Sequence, residues 1–386
     1  DTVYVRGGTY YEEVTFTNSG SVGMPITFVA YPNEAVYISG DGFTLNMVNY
    51  TTIEGFDFTG GGSYAVRIAY NSDSIIIKNN SFIGSFDYSP IYIQAAINET
   101  PFWRWQPTRN LIIEDNYIDN HYGVIHREMI SVSDSLGITI RNNTLIMSRH
   151  SRIVLGIVLK DGTQNAQVYG NHIENVQYGV YIDARAVVSN ISIYNNIIKN
   201  SVPVGLQNEV NDDPRYRSIA TIENVNIFNN ILVGGSGLNG INFGTFTTDS
   251  WDSSKPNGII RNVNVINNVF YGFDYAAVLG MSTIPSDVSG VTFRNNIFDS
   301  NNLVIYTATG TVIDNNLFNG ASGQGTNQKI GSPLFVNPAG GDFHIQSASP
   351  AKDAGTAVGA PSTDFDGNPR PFGAGYDIGV YEYQDS

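Results

Sequence analysis

The chain has 386 residues, a formal net charge of −15, 41% apolar and 14% charged residues, 40 Gly and no cysteine. That acidity argues against a nucleic-acid partner, which needs a basic footprint, and no apolar run approaches the ~18–20 residues of a membrane span. Without cysteine there is no disulfide framework, and polarity comes from Asn, Ser, Thr and Tyr, an all-β and extracellular-looking composition.

This length would ordinarily mean two or three domains, unless the chain is a repeat. Residues 1–60 alternate apolar and polar positions over Asp1 to Tyr10, Val14 to Phe16, Ile26 to Tyr31, Val36 to Ile38 and Thr52 to Phe58, which reads as strands of the first coils. The first residues already lie inside a strand pattern, so the start looks trimmed, and no signal peptide is present. N-x-Ser/Thr sequons at Asn49, Asn79, Asn98, Asn142 and Asn190 agree with an extracellular or cell-surface location.

From residue 70 one motif recurs: alternating β-branched residues, then Asn-Asn or a near variant. The second Asn falls at 80, 116, 143, 171, 196, 230, 268, 296 and 316. A period in the twenties with variable insertions is a solenoid signature. Asn tolerates left-handed backbone at a corner, and stacked corner amides can form a ladder. The expected fold is all-β: a single right-handed parallel β-helix over 1–325, with a C-terminal Pro/Gly-rich cap at 326–386 closing its last open coil. A β-propeller is the second choice, but its blades are longer and more regular.

Loops are expected at about 96–110, 211–221 and 245–258. The first carries Trp103 and Trp105, which either stack on sugar rings or pack the loop itself. Residues 100–152 hold six of the chain's 14 Arg and three of its 5 His. A local basic patch on an acidic protein suits an anionic ligand such as a uronate or sulfated sugar, with Arg127, Arg149 and Arg152 as binding candidates. The bland alternative is Arg paired with the abundant carboxylates.

Three glycine-led strands follow, beginning at Gly156, Gly179 and Gly205. Aligned on their glycines, they place Ile157, Leu159, Val180, Ile182 and Leu206 inward, and Val158, Lys160, Tyr181, Asp183, Gln207 and Glu209 outward. One outer column then reads Ser133, Lys160, Asp183, Glu209, Gly244, with Tyr181 and Gln207 beside it. Adjacent coils lie ~4.8 Å apart, so Asp183 and Glu209 would be roughly 5–6 Å apart, near the separation used by retaining glycosidases. In this reading Lys160 holds Asp183 ionised as nucleophile and Glu209 donates the proton. An eliminating lyase would use the residues differently. Lys160 or Arg185 would be the base, and Asp161, Asp183 and Glu209 would hold a cation such as Ca²⁺; the hydrolase needs no metal or cofactor. An exposed ladder of ion pairs would contribute little.

The Asn-Asn coils, the strands from Gly156 to Glu209 and the tail from Asp364 to Tyr383 resemble right-handed parallel β-helix carbohydrate-active proteins. Within them, the chain is similar to the catalytic region of archaeal disaggregatases. That resemblance implies a secreted enzyme that disperses cell aggregates by degrading an anionic, chondroitin-like matrix polysaccharide. The Asp clusters typical of pectate lyases are missing. The expected activity is a glycoside hydrolase on a polysaccharide substrate. The alternatives are a lyase with Lys160 as base, or a surface protein that binds carbohydrate without cleaving it. No nucleic acid or membrane span is expected; side-by-side packing of β-helices would allow a homo-oligomer.

Overall fold

The computed structural model describes residues 1–94, 106–120, 127–149, 154–209, 219–246, 258–280, 287–299, 303–305, 308–320 and 323–384, without the side chains at 120, 209, 245 and 246. Trp103, Trp105, Arg152 and the centres of the loops expected at 211–221 and 245–258 lie outside the described residues. Among the described residues the only helical element is a short 3₁₀ turn, Pro338–Gly340.

The chain forms two compact units, residues 1–188 with 211–218, and 189–210 with 219–386. In each, successive turns of chain give their strands to three parallel sheets. In the first unit the third sheet runs through Val14–Phe16, Phe43–Leu45, Tyr64–Ile68, Ser89–Ile93, Arg127–Ser133, Val154–Lys160 and Tyr178–Ala184. In the second unit the first sheet contains Thr221–Phe228, Ile259–Ile266, Asp287–Arg294 and Val312–Asp314. The interior is the inward half of each alternating strand: Ile75, Ile77, Ile138, Ile140, Val263, Val265 and Phe293 are fully buried.

The second Asn of each repeat forms the ladder that the spacing predicts. In the first unit the Oδ1 of Asn116 accepts from the backbone N and Nδ2 of Asn80, at 3.0 and 3.1 Å. Asn143 does the same for Asn116, and Asn171 for Asn143. In the second unit the rungs are Asn196, Asn230, Asn268, Asn296 and Asn316. Each amide thereby satisfies backbone groups that turn away from the sheets at the corner.

The first Asn of each pair takes the left-handed turn, with φ of 54° at Asn79, 52° at Asn229 and 54° at Asn267 and Asn295. In the second unit these side chains also reach the C-terminal segment. Asn229 donates to the Thr363 carbonyl at 2.9 Å, Asn267 to those of Asp377 and Gly379 at 3.1 and 2.9 Å, and Asn295 to that of Thr356 at 2.8 Å. Phe335, Phe343, Ile345, Ile378, Val380 and Tyr381 pack against Ile231, Val269, Ile297 and Leu317 of successive coils. The C-terminal segment thus lies along the flank of several coils, where the sequence reading put it over the end of the last one. The corner asparagines, expected from the sequence to serve the turns and their ladder, also supply the flank's hydrogen bonds.

Candidate functional site

The outer column expected from the glycine strands is present in the first unit: Ser133 is the register partner of Lys160, and Lys160 of Asp183. Ser133 is almost fully buried and Asp183 half-buried. Tyr181 is half-buried and packs on Tyr178, with centroids 5.0 Å apart. Val158 and Ser131, outward by alternation, are fully buried, so the face is covered there.

Glu128, absent from the sequence reading, is what reaches Lys160. Both its carboxylate oxygens lie 2.8 Å from the Lys160 ammonium, and the two side chains keep only 17% and 13% of their exposure. Glu128 is the register partner of Leu155, not of Lys160. Five residues of straight strand would separate the two backbones by about 16 Å, more than the two side chains span, so the sheet bends between them. Gly156 marks the bend: a Cβ there would lie 2.5 Å from the Gly179 carbonyl oxygen and 3.2 Å from the core methyl of Ile173. Gly156 and Ile157 both pack inward, the alternation resets, and the outer face becomes concave.

Tyr64, Tyr88 and Tyr92 wall this concavity, with Arg127, Glu128 and Lys160, around a cleft of about 280 Å³. The Tyr64 ring stacks on Tyr92 at 4.6 Å and on Tyr88 at 5.6 Å. The Arg127 guanidinium lies 4.7 Å from the centre of the Tyr88 ring, a cation–π contact. Its buried Nε has no hydrogen-bond partner among the described residues. Arg67, on the strand Tyr64–Ile68, donates to Gln94.

The electrostatics fix protonation states. Burial disfavours the Lys160 ammonium, but Glu128, by charge and hydrogen bond, and then Asp161 and Asp183 outweigh it, and the pKa is raised. Lys160 is therefore a fixed ammonium. Burial likewise raises the Tyr64 and Tyr92 phenols, against an opposing pull from Lys160, so both stay protonated at neutral pH.

The remaining sequence candidates are dispersed. Arg185 lies 2.9 Å from the buried Asp161 carboxylate, a charge contact without hydrogen-bond geometry at Nε. Arg149 is exposed in the bend after the strand Thr144–Ile146 and does not line the cleft. In the second unit Gln207 is buried and pairs with Gly244, while Glu209 pairs with Phe246. The expected alignment of Glu209 with Gly244 is thus out by two residues. The Glu209 side chain lies outside the described residues. So do Trp103, Trp105 and Arg152. Among the described residues no three His, Asp or Glu side chains converge as a metal site.

The right-handed β-helix region family matches residues 41–215. No curated protein sequence matches the chain. Among solved structures, XylC in complex with xylose superposes with a TM-score of 0.66 at 12% identity, over 100% of this chain and 93% of that one. A mutant of the PL6 family alginate lyase AlyGC gives 0.52 at 13% identity, over 90% of this chain and 53% of that one, so this chain spans about half its length. Together with the parallel three-sheet coils, these likenesses identify the fold as a right-handed parallel β-helix.

Proposed function

We propose that this protein degrades an anionic, uronate-containing polysaccharide at the cleft between Tyr64, Tyr92, Arg127 and Lys160. The observation that carries this reading is Arg127, a partly buried cation whose Nε meets no described acceptor, beside a second cation held rigid by Glu128. Such a pair suits a sugar carboxylate, and the tyrosine wall suits the ring. The likeness to an alginate lyase supports a sugar acid as substrate class. Dispersal of a chondroitin-like cell matrix is the physiological role such an activity would serve.

β-Elimination fits these groups best. Arg127 and Lys160 neutralise the uronate carboxylate and so acidify the proton at C5. Lys160 is not the base, because its neighbours hold it protonated. The Glu128 carboxylate takes the C5 proton, the C4–O4 bond breaks as C4=C5 forms, and the Tyr92 phenol protonates the departing oxygen. Proton return from Glu128 to Tyr92 completes the cycle. Hydrolysis is the second reading, favoured by one observation: Asp183 flanks Lys160 in register while Glu128 binds it, so two carboxylates share one ammonium. The likeness to a xylose-bound protein adds to it.

Incubation with chondroitin, alginate and polygalacturonate separates the readings. Elimination yields an unsaturated, ultraviolet-absorbing end; hydrolysis yields new reducing ends without absorbance. Retention on the polymers with no product of either kind would leave a binding protein and end the enzymatic proposal.

A further inference from the structure

The first sheet of the second unit carries a separate cavity of about 220 Å³, lined by Asn226, Phe228, Asn264, Ile266, Gly359 and Pro361. Asn226 and Asn264 are register partners on neighbouring coils, and so are Phe228 and Ile266. The outer face therefore presents an amide row beside an apolar row, two residues apart. The Nδ2 of Asn264 donates to the Oδ1 of Asn226 at 3.0 Å. The Asn226 amide hydrogens and the Asn264 carbonyl oxygen remain without a partner among the described residues, a donor and an acceptor flanking that bond. The Phe228 ring lies flat against Tyr194, at 4.8 Å and 3°, so the apolar row is built on a braced aromatic plate.

The facing wall is the C-terminal segment, held close by Gly359. Its φ is +75°, and a Cβ there would lie 2.9 Å from the Ile266 methyl, so glycine alone suits both the turn and the approach. Arg294 donates to the Val358 carbonyl at 3.3 Å, and Asn229 anchors Thr363. The cavity is thus formed before any ligand arrives, which lowers the entropic cost of binding.

We propose that this cavity is a second carbohydrate-binding site, taking one uncharged pyranose unit of a glycan. The free amide donor and acceptor suit two hydroxyls of a sugar, and Phe228 and Pro361 suit the C–H face of the ring. Among the described residues no charged side chain lines it, and the nearby Arg294 is turned to Asp314 and the Val358 carbonyl. The ligand is accordingly neutral, unlike the sugar acid proposed for the cleft. This site stands whether or not the cleft is catalytic. Its effect would be to hold the protein on a mixed polysaccharide while charged units are processed elsewhere.

Isothermal titration tests it, using neutral β-1,4-linked hexasaccharides of glucose, xylose and mannose, with a chondroitin hexasaccharide as the charged comparison. The expected result is binding of at least one neutral sugar with a Kd on the order of 1 mM. Asn226→Ala/Asn264→Ala should weaken it at least tenfold with unchanged unfolding temperature and unchanged turnover of charged substrate. Asn264→Gln, which retains the fold's outer-face amide but pushes it into the cavity, should weaken it too. Lys160→Met should leave neutral-sugar binding intact. The proposal is overturned if none of the three neutral sugars binds the wild type, if binding survives both asparagine changes, or if it follows Lys160 instead.

Discussion

Replacing Glu128 with leucine tests whether Lys160 is a held cation. Both carboxylate oxygens sit 2.8 Å from its ammonium, and the pair is mostly shielded from water, with 13% and 17% of side-chain surface left. Removing one partner of a fully buried pair costs about 3–5 kcal/mol, because the other charge is left uncompensated. Residual exposure, and the nearby Asp161 and Asp183, reduce this to about 2–3 kcal/mol on the same basis. For a unit of this size that is roughly 4–12 °C in unfolding temperature. The double change Glu128→Leu/Lys160→Met removes both charges and should recover most of the loss. Thermal unfolding at pH 7 of wild type, both single variants and the double variant measures the coupling. Additive losses, or a Glu128→Leu protein as stable as wild type, would refute the pairing. The pH dependence has a fixed sign. A lysine with raised pKa contributes stability below its unfolded value of 10.5 that is lost as pH rises through the folded value. Without Glu128 burial is less opposed, and the loss should begin at lower pH.

Further outcomes follow from the same geometry. Arg127→Met should raise KM for a uronate polymer and also lower kcat at least tenfold, because the cation both binds the carboxylate and stabilises the charge that grows as the C5 proton leaves; a raised KM with unchanged kcat would leave Arg127 a binding group only. Asn268→Ala should destabilise the second unit by about 3 kcal/mol or more, since it orphans the buried donors of Asn230 and the Ile227 and Ile266 carbonyls; chemical denaturation reads this, and a loss below about 1 kcal/mol would contradict the ladder's role. Asp377 is fully buried and pushed up to about 6, chiefly by desolvation. Its stabilising contribution is present below the unfolded 3.8 and lost as pH rises through about 6. His344 is raised despite partial burial by Asp342 and Asp366, so its share is also lost with rising pH. The second unit should therefore be more stable near pH 5 than pH 8, and Asp377→Asn should flatten that slope in thermal scans; an unchanged slope would count against the assignment.

Much of this fold is legible in the sequence because a solenoid writes its period into the chain. Every second Asn of the repeat is a ladder rung, and the Lys160–Asp183 register follows from aligning glycines. The cleft was less legible. Strict alternation along Arg127–Ser133 conceals Glu128, because the bend at Gly156 resets which residues face outward. Tyr64, Tyr88 and Tyr92 belong to earlier coils, and only three-dimensional stacking brings them to the strands carrying Lys160. Tyr92, a register partner of Ser131, could have been found by extending the column argument one coil upstream. The flank position of the C-terminal segment has no periodic signature, since it depends on backbone carbonyls meeting Asn229, Asn267 and Asn295.

Those three asparagines have a kinetic consequence. A stacked-coil protein ordinarily couples each turn only to its neighbours, so it can fray from an end and add turns as they are synthesised. In the second unit the stretch from Thr356 to Gly379 straps turns laid down between 61 and 134 positions earlier, with Asn267 bonded to Gly379 across 112 residues. Closure of these turns therefore waits until that stretch has been made. Loss of the stretch from Thr356 to Gly379 is expected to convert an all-or-none transition into gradual unravelling, visible as a broadened melting curve.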